Sequence, residues 1–393
     1  MPDYTLVDLT TEPYALQLTA PIDLGGTTIT ERRGLSVSAT VERVDAVANG
    51  LENTATGRGD IAPLPSFSSE SLADVSTIWP SMRDALSGNR VELTSPDVFA
   101  DELSRLWSGI FISDRSDGAE EGGRNSNASR SQAPFARARI PASVRFGVEQ
   151  AVVFAIARAE AVLPTALLTE TPRAHVSLNA LLMGTPLEML REARRFQDVS
   201  AVKVKVGRHD IDAEAACVRA LAEEWGQRVQ IRLDANRAWS YADALRFAGG
   251  IEGVLIEYLE EPLADPSRLA EWTRQTGVPV ALDETTREVS LKDLTDHTYV
   301  SAVVVKPSLI GFSETLHLAK TLRASDVDVV ISSAYESGVG LVGLAVLAAS
   351  TGDRDIAAGL DTYRRLTSDV AEPRLPIAIP GVDVECLWDS LNG

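Results

Sequence analysis

From about residue 174 onward, short apolar runs rich in β-branched residues alternate with segments whose apolar positions follow helical spacing. The runs cover 174–181, 201–206, 229–234, 254–260, 278–283, 301–306, 327–332 and 355–360, with starts 23 to 28 residues apart. Helical spacing fills the gaps, as in 213–224, 242–248 and 313–323. Eight alternations of strand and helix predict a parallel sheet, and eight units predict closure into a barrel. A doubly wound open sheet would also alternate, but no Gly-rich phosphate loop follows the first strand.

The first 110 or so residues carry another pattern. Runs 14–18 and 35–42 have the character of antiparallel strands and 72–85 that of a helix, which predicts a separate α+β unit over 1–112. Segment 113–134 is built from Ser, Gly, Asn, Arg and Asp and reads as a flexible insertion. Its Asn127-Ala128-Ser129 is a chance match to a glycosylation acceptor in a chain expected to be cytoplasmic. Helical spacing resumes over 141–160 and leads into the barrel, expected over 135–365.

Composition narrows the function classes. The chain has 393 residues, 45% of them hydrophobic, enough for a barrel core and a second unit. It has no 18-residue apolar run, which argues against a membrane span. The N-terminus lacks the basic start and apolar core of a secretory signal. Two cysteines are too few for a disulfide framework, in keeping with a reducing cytoplasm. A net charge of −19 disfavours nucleic acid or an anionic membrane as partner, since both need a cationic face. The expected partner is a small-molecule carboxylate, bound by a monomer or homo-oligomer.

The basic residues add a clue. There are 5 lysines against 32 arginines, and the first 202 residues contain no lysine. With the acidic charge, this fits either an ordinary hydrated surface or adaptation to a salty cytoplasm. Arginine cannot be deprotonated in proteins, so a surviving lysine marks a place where a neutral amine has a use. Lys203, Lys205 and Lys306 lie in strand-like segments; Lys292 and Lys320 lie in helix-like ones and read as incidental.

Barrel active sites form where strands end. The polar residues there are Lys203 and Lys205, Asp234 and Asn236, Glu260, Asp283, Lys306, and Ser332 and Ser333. Strand alternation turns both lysines one way and Val202, Val204 and Val206 the other. Two lysines facing a barrel interior need anions. Asp234, Glu260 and Asp283, at three consecutive strand ends, provide them. As oxygen donors they suit Mg2+, with Mn2+ able to substitute; as helix N-caps or lysine partners they would be purely structural. A carbanion beside a carboxylate requires its charge to spread into an enediolate. Lys205 is placed to act as base, its pKa lowered by Lys203 and the cation, with Lys306 on the other flank.

Lys203-Val204-Lys205, Asp234-Ala235-Asn236, Glu260-Glu261-Pro262, Asp283-Glu284 and Lys306-Pro307 together resemble the signature of the muconate-lactonizing branch of the enolase superfamily. The match covers nearly the whole barrel in order. The resemblance implies a modified barrel and an α+β capping domain completed by a C-terminal tail, 366–393. Within the branch, DANRAW (234–239), KPSLIG (306–311), ISSAYESGVG (331–340), GLDT (359–362), GDIAPLPSFSSES (59–71) and FGVEQA (146–151) resemble the o-succinylbenzoate synthase family. That likeness implies a dehydration in which Lys205 removes the α-proton and then helps the hydroxyl leave, while Lys306 stays cationic.

Other positions carry lesser expectations. Ser332 and Ser333, with backbone N–H groups of 336–340, are expected to bind a distal substrate carboxylate or else cap a strand end. Arg33, in a segment expected to be a loop around 27–35, would close over ligand or sit on the surface. Arg232 and Asn236 are expected to support the carboxylates, and Trp239 to pack. Asp60 stands where the resembling families usually have Glu, and the insertion 113–134 lengthens the link to the barrel. An N-acylamino acid racemase or dipeptide epimerase would use the same site, but Ser332-Ser333-Ala334 lacks the D-x-D element of the epimerases. A non-catalytic binding barrel would be credible only with a base or ligand missing.

Overall fold

A computed structural model describes residues 2–24, 26–44, 53–110, 140–196, 198–287, 299–352 and 354–392. The insertion 113–134 and Lys292 lie outside them.

Two long strands dominate the N-terminal part: β1 (Asp3–Leu24) and β2 (Thr27–Arg43), paired antiparallel from Tyr4↔Arg43 to Leu24↔Thr27. Segment 27–35, expected to be a loop, is therefore strand. Its Thr and Ile residues are good β-formers, Ile29 pairs with Ile22, and Gly26 turns the hairpin at φ +89°. Two register shifts, between Leu6 and Asp8 and between Gln17 and Ile22, bend the ribbon. With β3 (Thr54–Ile61) and β4 (Arg90–Glu92) the sheet has the order β3-β2-β1-β4. Helix Leu72–Leu86 is opened by a capping box from Ser71 and Asp74.

The sequence offers little periodicity for β3, whose TATGRGDI contains two glycines. Packing explains them. Helix Ala142–Ala159 lies so close that a Cβ on Gly59 would stand 1.9 Å from Gly147 O, and one on Gly57 would stand 2.2 Å from Ala151 O. That helix is buried on nearly every side, wedged between the cap sheet and the barrel, so it lacks an amphipathic stripe.

The barrel sheet runs parallel in the order β12-β11-β10-β9-β8-β7-β6. Its strands are β6 (Ala180–Leu182), β7 (Ala201–Lys205), β8 (Gln230–Asp234), β9 (Tyr258–Glu260), β10 (Val280–Leu282), β11 (Val300–Val305) and β12 (Asp328–Ile331). The first expected strand, 174–181, is split. Its start becomes β5 (His175–Ser177), paired antiparallel with the C-terminal β13 (Gly381–Asp383). The eighth, 355–360, is reduced to single bridges, Leu178↔Ala358 and Ser332↔Gly359. Gly359 leads into a 3-10 turn, Asp361–Arg365, before a strand can extend. Hydrogen bonds on both sides of this segment still join β12 to the start of the barrel: Gly359 N to Ile331 O (2.8 Å) and Asn179 N to Ala358 O (2.9 Å).

The tail touches both halves. Leu366 bridges Leu18, and Trp388 stacks edge-on against Phe154 at 5.1 Å. From the cap, buried Asp60 accepts from Ser337 N and Ser337 Oγ, both at 2.9 Å, at the start of the wholly buried helix Gly338–Ser350. Among the described residues no helix is long and apolar enough to cross a membrane.

Candidate active site

Parallel pairing brings the strand-end residues to one level. Lys205 is in register with Asp234, and Asp234 with Glu260. Val202, Val204 and Val206 are buried toward the outer helices, while the two lysines turn inward. Lys203 Nζ lies 2.7 Å from both Asp234 Oδ2 and Glu260 Oε2, and Lys205 Nζ lies 2.6 Å from Asp234 Oδ2. Lys306 pairs with Asp283. In sheet order the carboxylates on β8 and β9 and just after β10 are flanked by lysines on β7 and just after β11.

The electrostatics separate the lysines. Burial, helped by the Lys203 charge and opposed by Asp234, holds Lys205 below the ordinary lysine value. For Lys203 and Lys306 burial acts in the same direction but is overcome, by Asp234 and Glu260 in one case and Asp283 in the other, so both are raised. Among the carboxylates, burial raises Asp234 but Lys203 and Lys205 outweigh it and hold its carboxyl low. Burial and the Asp234 charge push Glu260 up to about 8 against the opposing Lys203. The carboxylates thus feel one another strongly.

Among the described residues no three acidic, His or Cys side chains close into a ready-made ion cage; the carboxylates are turned to lysines instead. The donor chemistry nevertheless fits a hard cation. All three groups are buried carboxylates, and Glu260 Oε2 accepts no well-aligned hydrogen bond even with Lys203 beside it.

The expected supports Asn236, Arg232 and Trp239 are joined by two residues given no role from the sequence, Arg237 and Glu261. Asn236 and Arg237 follow Asp234 in left-handed backbone, φ +45° and +59°. The turn lets Asn236 N donate to Asp234 Oδ1 (3.0 Å) and Asn236 Oδ1 accept from Lys205 (2.7 Å). Glu261, fully buried, accepts from Asp283 N, Thr285 N, Thr285 Oγ1 and Arg237 Nε, all within 3.0 Å. It fixes the backbone that carries Asp283. Its only sequence signal was a second acid directly after a strand-end acid, which alternation turns away from the barrel interior. Arg232 sits deeper than expected for a carboxylate support. It donates to Glu257, to Asn179 Oδ1 (3.0 Å) and to Ala357 O (2.6 Å), tying β8 to the closing seam. Trp239 packs against Phe247 at 4.4 Å.

A cavity of about 830 Å³ opens above the lysines. The hairpin tip at 21–24 and the cap residues Leu64, Ser66 and Phe67 form its roof; Lys203, Lys205, Asn236, Lys306, Ser332 and Ser333 line its floor and wall. Arg33 is not brought there: it is exposed and paired with Glu31 at the outer face of β2. The serines are present, and the Ser333 hydroxyl is already engaged. Ser333 Oγ binds Gly359 O (2.8 Å) and Thr362 Oγ1 (2.6 Å), and Ser332 Oγ leans on Gly359 O (3.5 Å). Backbone N–H groups of Ser337 and Gly338 are taken by Asp60 and Asp369, and that of Gly340 by Ser337 Oγ.

Residues 188–385 match the family described as Enolase C-terminal domain-like, half of the chain. The chain belongs to that family. Relatives of this enolase-like chain include Protein PHYLLO, chloroplastic, of Arabidopsis thaliana, 31% identical over 81% of the chain but 19% of that protein. The o-succinylbenzoate synthase of Pasteurella multocida is 31% identical over 52% of the chain and 62% of its own length. That of Pectobacterium atrosepticum is 29% identical over 86% and 89%. Thus the first two relatives are matched over less than two thirds of their own length. In fold, this enolase-like chain superposes on the L-Ala-D/L-Glu epimerase of Bacillus subtilis with a TM-score of 0.72, at 20% identity and 96% coverage of each. The expected modified barrel with an α+β cap agrees with these neighbours.

Proposed function

We propose that the protein is an o-succinylbenzoate synthase, dehydrating 2-succinyl-6-hydroxy-2,4-cyclohexadiene-1-carboxylate to 2-succinylbenzoate in menaquinone biosynthesis, as a carbon–oxygen lyase. The observation that carries this reading is the placement of Lys205 and Lys306 on opposite flanks of three buried carboxylates, Lys205 against Asp234 and Lys306 against Asp283. The similarity to o-succinylbenzoate synthases over most of the chain supports it.

Asp234, Glu260 and Asp283 would hold Mg2+, which supplies positive charge for the carboxylate of the enolising acid. Lys205, neutral, takes the proton from the carbon beside that carboxylate, and the C–H electron pair spreads into an enediolate. Lys306, cationic, stabilises that charge from the other flank. The pair then returns to the ring to form the aromatic double bond as the C–O bond breaks. Lys205 delivers its proton to the departing hydroxide, so that water leaves. Lys203 keeps the local field positive, and Asn236 positions Lys205 by their hydrogen bond. The domain reading that accompanies this assigns the cap to 1–112 with 366–393 and the catalytic barrel to 135–365.

The test is an ultraviolet assay for aromatic product, run with and without EDTA. Formation of 2-succinylbenzoate that EDTA suppresses supports the reading; absence of product rejects it. The two-lysine site also suits an N-acylamino acid racemase, in which each lysine serves one face. Deuterium exchange into an N-succinylamino acid would reveal that activity.

A further inference from the structure

Of the donors expected to receive a distal anion, around Ser332–Ser333 and 336–340, Ser333 Oγ and the N–H groups of Ser337, Gly338 and Gly340 are taken up inside the protein. Other donors at the same cavity are not. Of the cations lining it, Lys203, Lys205, Lys306 and Arg237 are all paired with carboxylates. Arg208 also lines the cavity, and among the described residues its side chain has no hydrogen bond or ion pair. Its backbone is held firmly. Buried Glu214 accepts from Gly207 N (2.8 Å), Arg208 N (2.9 Å) and His209 N (3.0 Å), just after Gly207 turns the chain at φ +74°.

Across the mouth stands Tyr335, another lining residue in left-handed backbone at φ +63°. Its hydroxyl has no hydrogen-bond partner among the described residues. Arg365 ends the 3-10 turn Asp361–Arg365, whose Asp361 and Thr362 line the same cavity as Arg208 and Tyr335, and the Arg365 and Arg208 charges both oppose the rise that burial gives the Tyr335 phenol. Arg365 is half-buried, and its Nε is buried without a partner. The nearby carboxylate of Asp361 is taken by Leu181 N and Arg364 Nε, both at 2.9 Å. Two unused donors, Arg208 and the Tyr335 hydroxyl, therefore line a cavity whose other cations are all neutralised, and a third, Arg365, follows the lining residues Asp361 and Thr362 on their turn. Arg208 is exposed and hydrated until a ligand arrives, whereas the buried Arg365 Nε is left without an acceptor, which is costly unless one is supplied.

We propose that Arg208 and Arg365, with the Tyr335 hydroxyl, form a second anion subsite that receives a distal carboxylate of the substrate. Arginine suits the task because its planar fork accepts a carboxylate in two parallel hydrogen bonds. The subsite makes the enzyme selective for dicarboxylic acids: one carboxylate lies at the acidic floor and the other at the arginine edge. It rests on the functional reading only in its choice of ligand, since any dicarboxylate with suitable reach would use it.

The test compares ligands with and without the distal carboxylate. Calorimetric Kd values are taken with excess Mg2+ for 2-succinylbenzoate against 2-butyrylbenzoate, and for N-succinylphenylalanine against N-butyrylphenylalanine. Proteins are the unaltered chain, Arg208→Gln, Arg365→Gln, and the charge-keeping Arg208→Lys and Arg365→Lys. At least one dicarboxylate should outbind its monocarboxylate counterpart and lose about tenfold to a hundredfold in each Gln variant. The counterpart should be unaffected, and the Lys variants should recover part of the loss. Equal losses for both members of a pair, or no preference for either dicarboxylate in the unaltered chain, overturns the proposal. Binding of N-succinylphenylalanine alone, with the same arginine dependence, upholds the subsite while rejecting the synthase reading.

Discussion

Lys205 donates to Asp234 Oδ2 at 2.6 Å, so the proposed base and a proposed cation ligand share a hydrogen bond. The same Oδ2 is 2.7 Å from Lys203. Each lysine keeps the carboxylate ionised, and Lys203 disfavours a proton on Lys205.

Removing the base should therefore remove turnover without unfolding the chain. Lys205→Ala and Lys205→Arg are expected to lower kcat by at least about 10²–10⁴-fold, the scale of general-base catalysis. Their far-ultraviolet circular dichroism should be unchanged. Near-normal turnover in Lys205→Arg would sink the assignment, because arginine cannot serve as the neutral base.

Lys306 should respond differently if it acts through charge alone. Lys306→Arg keeps the charge and should retain more activity than Lys306→Met, which should lose roughly 10²–10³-fold. Equal and complete loss in both, together with proton exchange on an N-succinylamino acid, would point to a second acid–base group.

The pH profile follows from the lowered Lys205. A base works when unprotonated, so kcat/KM should fall as pH falls through the Lys205 pKa. That limb should sit below the ordinary lysine value of about 10.4. An acidic limb at or above that value contradicts the charge arrangement around Lys205.

Cation binding has a readout apart from catalysis. Mg2+ should raise the midpoint of thermal unfolding by binding the folded state, and EDTA should reverse the shift. Asp283→Asn and Asp234→Asn should weaken or abolish the Mg2+-dependent shift. An identical shift in both variants would remove these carboxylates from the ligand set.

The contact between cap and barrel is separable from the chemistry. Asp60→Ala leaves the buried Ser337 N–H unpaired and should cost roughly 1–3 kcal/mol in chemical denaturation. Asp60→Asn, which keeps an acceptor, should cost less. No change in either variant would show that this strut contributes nothing measurable.

The beat of short apolar runs was enough to place β7, β8, β9, β10, β11 and β12 within a few residues, because a parallel strand buried on both faces has little choice but continuous apolar sequence. The same logic misjudged the two ends of the barrel. Segment 174–181 divides between two sheets, and 355–360 closes the barrel through single bridges; which partner a run finds is a long-range matter. The β1–β2 hairpin is longer than its local pattern implies and Arg33 lies on a strand instead of a loop, since polar strands exposed on one side look like loops locally.

For the candidate site, strand alternation and the scarcity of lysine sufficed to single out Lys203, Lys205, Asp234, Glu260, Asp283 and Lys306. Local sequence sets the spacing of strand ends, and a parallel barrel has only one end where they can meet. Only the tertiary structure decided the rest. It engaged the Ser333 hydroxyl with Gly359 and Thr362, buried Glu261 beneath Asp283, and set Arg208 and Tyr335 on the wall of one cavity. Those outcomes depend on which donors find acceptors across distant segments, and that competition is resolved only when the chain has packed.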